Sequence, residues 1–464
     1  MLSEHANRLA AEARPGDSSL RLLHGNADAL KVRLALVDLA AETLDIQYFI
    51  WQDDATGRLL LQHVIAAADR GVRVRLLLDD LALGGRDPEV VALEAHPSVQ
   101  VRVFNPWTTR SKLVRPFEFV VRPRRLNRRM HNKTLIADGR FGILGGRNIG
   151  DRYFGVYAPF VQNDLDIMMA GPVLAEVVAS FDEYWNSSLT VEPAAGDEGD
   201  AELVKLRRDC ARKIAENAAL LRAFAVPIDG WSAYLDGLLE DASRGPGELF
   251  VDSPGGEGPR QLYPSVKSLV AGARRDVLLS SPYLIPDRGF VDELAGLVAR
   301  GVRVRVLTNS LASNSHVIAH SGYKKWRRQL LGAGVELYEM RADPAVLDEF
   351  ATSPAEPEKL ALHAKAIVVD GRRTFIGSPN IDPRSMVLNT EIGLVADDPA
   401  LAGKVAAILE RDMRPENSWR VTLDSEGWLH WQRGDEVLSR QPALGFKQRA
   451  MEFFMNLIPI KNQT

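Results

Sequence analysis

The chain has 464 residues, too many for one ordinary core, so two or three domains are expected. Apolar residues make up 46% and charged residues 25%, a globular composition, and the net charge of -4 argues against a protein built mainly to coat nucleic acid. The single cysteine, Cys210, excludes an intrachain disulfide and a cysteine metal cluster.

The N-terminal tail, 1–20, begins MLSEHANRLAAEARPGD and lacks the apolar core of a secretory signal. No apolar run reaches the roughly 20 residues that span a bilayer, so a soluble or peripheral protein is expected. A first half is assigned to 21–190. It opens with LDIQYFIW (44–51), an apolar, β-rich run, then a helical segment, then RGVRVRLLLDD (70–80). That order predicts a strand–helix–strand unit with parallel strands. TRSKLVRPFEFVVRPRRLNRRM (109–130) carries eight Arg and Lys and one acid, Glu118, a mixture suited to an anionic membrane surface. MHNKTLIADGRFGILGGRNIG (130–150) follows directly.

Residues 191–262 are read as a connector with helices of its own, opening on the polar VEPAAGDEGDAEL. A second half, 263–415, repeats the first: VLLSSPYLIP (277–286), a helical segment, RGVRVRVLTNS (300–310), then LHAKAIVVDGRRTFIGSPNID (362–382). His316 and His320 stand i, i+4 apart, but no HExxH context or third ligand accompanies them, so no metal site is assigned. The extension 416–464 places Trp419, Trp428 and Trp431 in a hairpin. It ends in ALGFKQRAMEFFMNLIPI (443–460), an amphipathic helix with Leu444, Met451, Phe454, Met455 and Ile458 on one face.

The repeat is in register. His131 and His363 lie 232 positions apart, as do Lys133 and Lys365, Asp138 and Asp370, Gly145 and Gly377, and Asn148 and Asn380. Two copies mean a duplicated domain, not a solenoid. In a strand, residues i and i+2 share a face, so each His-x-Lys pair is expected to project together. If the halves meet about a pseudo-twofold axis, two imidazoles, two ammonium groups and two carboxamides converge. That set suits a phosphodiester. Lysines and amides, with Ser378 nearby, neutralise the phosphoryl oxygens; one imidazole attacks phosphorus and the other protonates the leaving alcohol.

HNKTLIADGRFGILGGRN and HAKAIVVDGRRTFIGSPN resemble the paired HKD motifs of the phospholipase D superfamily, over nearly the whole chain. The resemblance is closest to bacterial cardiolipin synthases of the C type, through GGRNIGDRYFG, NDLDIM, DPRS and LNTEIG. It implies two α/β sandwich halves sharing one active site, with no cofactor and no metal. It implies His131 as nucleophile and His363 as acid and base. Asp138 and Asp370 would support the strand turn, and Asp166 and Glu391 would orient the histidines. Pro379 departs from the aromatic residue common at its place. The implied reaction moves a phosphatidyl group to phosphatidylglycerol, with phosphatidylglycerol or phosphatidylethanolamine as donor. The implied location is the cytoplasmic side of the inner membrane, with a possible accessory protein and no nucleic acid. Hydrolysis to phosphatidic acid, nuclease action and non-catalytic lipid binding are the alternatives.

Overall fold

The RGVRVR string recurs because one local device is built twice. Helix Ala55–Asp69 starts at Asp54, whose carboxylate accepts from Gly57 N at 3.0 Å. It ends at Arg70, and Gly71 follows at φ +92°, the left-handed region that glycine tolerates best. Helix Arg288–Ala299 is capped by Asp287 and ends at Arg300, with Gly301 at φ +84°. The Val-Arg alternation that follows each glycine begins the next strand.

The computed structural model describes residues 1–83, 87–107, 126–193, 199–255 and 260–457. The basic stretch 109–130 therefore lies outside the described residues up to 125. In the first half the strands are β1 (Ser18–Leu23), β2 (Thr43–Tyr48), β3 (Arg73–Asp79), β4 (Val99–Phe104), β5 (Thr134–Ala137), β6 (Phe141–Gly145), β7 (Val161–Asn163), β8 (Asp166–Ala170), β9 (Thr190–Val191) and β10 (Ser243–Gly245). Nine form one sheet, ordered β10-β1-β8-β6-β5-β2-β3-β4-β9. The strands that follow are β11 (Gly247–Val251), β12 (Asp276–Ser280), β13 (Arg303–Asn309), β14 (Glu336–Met340), β15 (Leu360–Leu362), β16 (Ala366–Val369), β17 (Arg373–Gly377), β18 (Ile392–Asp397), β19 (Ser418–Leu423), β20 (Leu429–Arg433) and β21 (Glu436–Leu438). Ten form a second sheet, β11-β18-β17-β16-β12-β13-β14-β19-β20-β21. The expected parallel units are present: Thr43 stands opposite Arg73, and Asp276 opposite Arg303.

Each central strand is buried on both faces, which is why its sequence reads as a nearly continuous apolar run. Ile136 and Leu144 of the first sheet share a core with Leu278, Val368 and Ile376 of the second, so the sheets face each other. Leu135 and Ala137, of opposite parity, point to an outer core under helices Asn26–Leu39 and Ala55–Asp69. Ile367 and Val369 do the same on the far side.

The residues read as a connector are shared out. Helices Gly199–Glu216 and Trp231–Leu239 add Leu206, Cys210, Trp231 and Leu235 to the first outer core. β10 joins the first sheet and β11 the second, so the chain changes sheets at Pro246. The expected tryptophan hairpin is β19–β20. Trp419 and Trp431 are buried in the second core, and Trp428 is exposed. The final helix, Phe446–Leu457, is tied down by Gln448 donating to Leu311 O at 2.6 Å and by Lys324–Glu452 at 3.0 Å. Leu444 and Met451 are exposed. The side chains of Phe454, Met455 and Ile458, on which the amphipathic reading also rests, lie outside the described residues. Among the described residues no helix is long and apolar enough to cross a membrane.

Candidate active site

The β5–β6 and β16–β17 hairpins carry the two motifs, and an aspartate fixes each turn. Asp138 and Asp370 have φ of +52° and +56°. The Asp138 carboxylate accepts the backbone N–H groups of Ala41, Glu42 and Thr43; Asp370 does the same for Arg274, Arg275 and Asp276. Each therefore pins its hairpin to the start of β2 or β12, at the end remote from the histidines.

The motif residues stand just before their strands, not inside them. His131 N donates to Thr390 O at 2.9 Å, and His363 N donates to Asn163 O at 2.7 Å. Here the backbone gives up its own ladder and bonds to the opposite half. β15 pairs in parallel with β7, and Met130 bridges Thr390 in the same sense. The pseudo-twofold contact thus runs through the two histidines.

The side chains cross over as well. His131 Nδ1 lies 2.8 Å from Glu391 Oε2. His363 Nδ1 bonds Asp164 Oδ2. A carboxylate only accepts, so each imidazole donates through Nδ1. Among the described residues neither Nε2 makes a hydrogen bond. Lys133 Nζ donates to the His131 carbonyl, and Lys365 Nζ to the His363 carbonyl at 2.5 Å.

Asp166 was expected to orient a histidine, and Asp164 does so instead. Sheet register explains this. Gly145 pairs with Asp166, and its counterpart Gly377 pairs with Gly393, so Asp164 is the counterpart of Glu391. Asp166 is buried with two guanidiniums, accepting from Arg33 Nη2 at 2.8 Å and Arg147 Nη1 at 3.3 Å. Arg147 occupies the place of Pro379 in the repeat, so the second half has neither member of that pair.

The two amides have different surroundings, and the serine is already engaged. Asn148 Oδ1 accepts from Ile50 N at 3.1 Å, and its Nδ2 donates to Tyr153 Oη at 3.0 Å, so the loop orients its carboxamide through one of the two N–H donors. Ser378 donates to Glu391 and accepts from Ile392 N at 3.0 Å. Its counterpart is Gly146, where a Cβ would come within 2.2 Å of Asp164 Oδ1. The shorter acid thus takes the room that the serine occupies beside the longer one. Asn380 lines a cavity with Lys365 and Pro379, and its Oδ1 has no partner. Two aromatic rings went unnoticed in the sequence: Phe49 meets His131 edge-on at 5.0 Å, and Tyr153 meets His363 at 5.6 Å.

Burial sets the protonation of the cluster. It pushes the His131 imidazole down to about 4, against the pull of Glu391. It pushes His363 well below its ordinary value, with Lys365, Lys133 and His131 acting the same way. That mutual effect shows both motifs occupying one cluster. Burial lowers Lys133 to about 7 and Lys365 to about 8, opposed by Glu391 and Asp164 respectively. Burial works to raise Glu391, but His131, Lys133 and Ser378 hold it down to about 2. The resting site is thus two neutral imidazoles, each oriented by a carboxylate. The ammonium groups shed their protons as pH rises through 7 and 8, so anion binding weakens over that range. Sulfate, whose charge does not change there, is expected to inhibit with a constant about tenfold or more weaker at pH 9 than at pH 6. A pH-independent constant would show that the lysines are not held down.

A family profile described as "Cardiolipin synthase, PLD-like domain" matches residues 34–185 and again 266–413. The chain is 36% identical to cardiolipin synthase C of Escherichia coli K12 over 96% of each chain. It is 29% identical to cardiolipin synthase A of Pseudomonas entomophila, over 85% of this chain and 68% of that one. The crystal structure of a phosphatidylserine synthase from Haemophilus influenzae Rd KW20 shares the fold, with a TM-score of 0.62 at 13% identity over 99% and 98% of the two chains. With both domain copies present and a 36% identical relative matched over 96% of its length, the chain belongs to the phospholipase D-like family of cardiolipin synthases.

Proposed function

We propose that this protein is a cardiolipin synthase, transferring a phosphatidyl group to the free hydroxyl of phosphatidylglycerol. The observation that carries the reading is the crossed pairing: each histidine takes its carboxylate from the other half, so a single site needs both motifs. His131 Nε2 attacks the donor phosphorus, forming an N–P bond as the P–O bond to the leaving alcohol breaks. His363 gives that alcohol its proton. The acceptor hydroxyl then returns a proton to His363 as its oxygen attacks phosphorus and the N–P bond breaks. Lys133, Lys365 and the Asn380 amide stabilise the charge that builds on the phosphoryl oxygens. Binding the anionic diester raises the proton affinity of His363, so it becomes an acid when substrate is present.

The donor is phosphatidylglycerol or phosphatidylethanolamine, and the enzyme works peripherally on the cytoplasmic face of the inner membrane. Purified protein with acyl-labelled phosphatidylglycerol, with and without phosphatidylethanolamine, is expected to form labelled cardiolipin. Phosphatidic acid alone would make the protein a hydrolase, and no lipid product in any mixture would remove the reading.

A further inference from the structure

The two halves differ at one position that the catalytic cluster does not use. Arg152 and Arg384 are a further matched pair of charged residues, again 232 positions apart. Arg384 is engaged: its Nη2 donates to Asn127 O at 3.2 Å, and Asp382 bears on its charge. Arg152 has no ion pair or hydrogen bond among the described residues. Its guanidinium lies 5.4 Å from the centre of the Tyr153 ring and 5.9 Å from that of Phe160. Lys359 Nζ lies 5.3 Å from the same Phe160 ring, and the carboxylate bearing on it is its neighbour Glu358. Two cations thus flank one ring, with Tyr157 exposed beside it.

This patch sits on the His363 side of the site. Tyr153, under Arg152, meets the His363 ring edge-on at 5.6 Å. The charge of Arg152 also reaches His316 and Tyr283, which pack together at 5.7 Å.

The acceptor in the proposed reaction brings a phosphate of its own. Its hydroxyl must approach His363 while that second phosphate lies one glycerol away. We propose that Arg152, with Lys359 at the same Phe160 ring, binds the phosphodiester of the acceptor lipid and so selects a phosphate-bearing alcohol over a simple one. The rings hold the guanidinium in place and leave its N–H fork open for two phosphate oxygens. In the transfer step the anchored acceptor loses its hydroxyl proton to His363, its oxygen bonds phosphorus, and the bond from phosphorus to His131 breaks. This inference rests on the cardiolipin synthase reading and on His363 as the base.

The test sets two acceptors against each other in neutral-detergent micelles, which dilute the surface charge of the lipid and keep it equal in both arms. Acyl-labelled phosphatidylglycerol reports cardiolipin. Labelled free glycerol entering phosphatidylglycerol reports transfer to an acceptor without phosphate. For R152Q in the full chain, the ratio of cardiolipin to glycerol exchange is expected to fall about tenfold or more, the size of one lost charge-assisted bond. R152K should fall less, because the charge remains without the fork, and K359Q should lower the ratio in the same direction. A wild-type ratio in R152Q, or equal loss with both acceptors, would overturn the assignment and leave the reaction standing. Wild-type protein that exchanges glycerol but makes no cardiolipin would overturn the reaction, and the assignment with it.

Discussion

His131→Ala and His363→Ala are each expected to lower phosphatidyl transfer by about 10⁴-fold or more, and the double variant should be little worse than either. The two imidazoles act in series on one phosphorus, so losing one leaves the other without a task. The single variants should differ in what they can still do. Without His131 no covalent phosphatidyl-enzyme can form. Without His363 the nucleophile remains, but the leaving alcohol departs without a proton. A donor whose leaving group needs none, such as a nitrophenyl phosphodiester, should therefore give a first-turnover burst of nitrophenolate at much of the wild-type rate in His363→Ala, with the second step still slow, and no burst in His131→Ala. Equal bursts in both, or additive losses in the double variant, would mean that the two histidines serve separate sites. The fold leaves little room for that, because His131 N and His363 N both bond to backbone of the opposite half.

Two aspartates two residues apart should fail in different ways. Asp164→Asn keeps its volume but removes the charge that orients His363 Nδ1 and steadies the imidazolium. An amide also offers a donor where the ring needs an acceptor. The rate should fall by about 10²- to 10⁴-fold with the melting curve little changed. Asp166→Asn touches no histidine, removes the carboxylate paired with buried Arg33 and leaves buried Arg147 with Asp164 alone. Breaking a buried pair on one side costs about 3–5 kcal/mol, so this variant should unfold at markedly lower denaturant while any folded fraction stays active. Urea melts and rates on the same two preparations decide the matter. Normal stability with lost activity in Asp166→Asn would return it to the catalytic cluster.

Much of this architecture was legible in the sequence because the duplication repeats its local chemistry. The capping aspartates, the glycines after each helix and the Asp-Gly turns recur at nearly one spacing and need no tertiary context. The His-x-Lys pairs could be read for the same reason. The acids could not, since their spacing differs: the interval from histidine to acid is five residues longer in the first half, 131 to 164 against 363 to 391. NDLDIM offers two aspartates, and only the pairing of Gly145 with Asp166 shows which one stands where Glu391 does. The signal was present in Arg147, an extra buried cation that required a carboxylate of its own. Asn148 and Asn380 match in sequence but not in surroundings: Tyr153 and Ile50 N orient the Asn148 amide, whereas Asn380 Oδ1 has no partner. The crossed pairing was also out of reach, because periodicity says nothing about which half supplies a partner.

Trapping the covalent intermediate tests the shared site most directly. Acid-sensitive, alkali-stable label from phosphatidylglycerol radiolabelled in its phosphate, caught in single turnover, should reach one phosphoryl group per chain and map to the peptide carrying His131. Two groups per chain, one on each motif, or label on a residue other than these histidines, would contradict a lone phosphorus held between the halves.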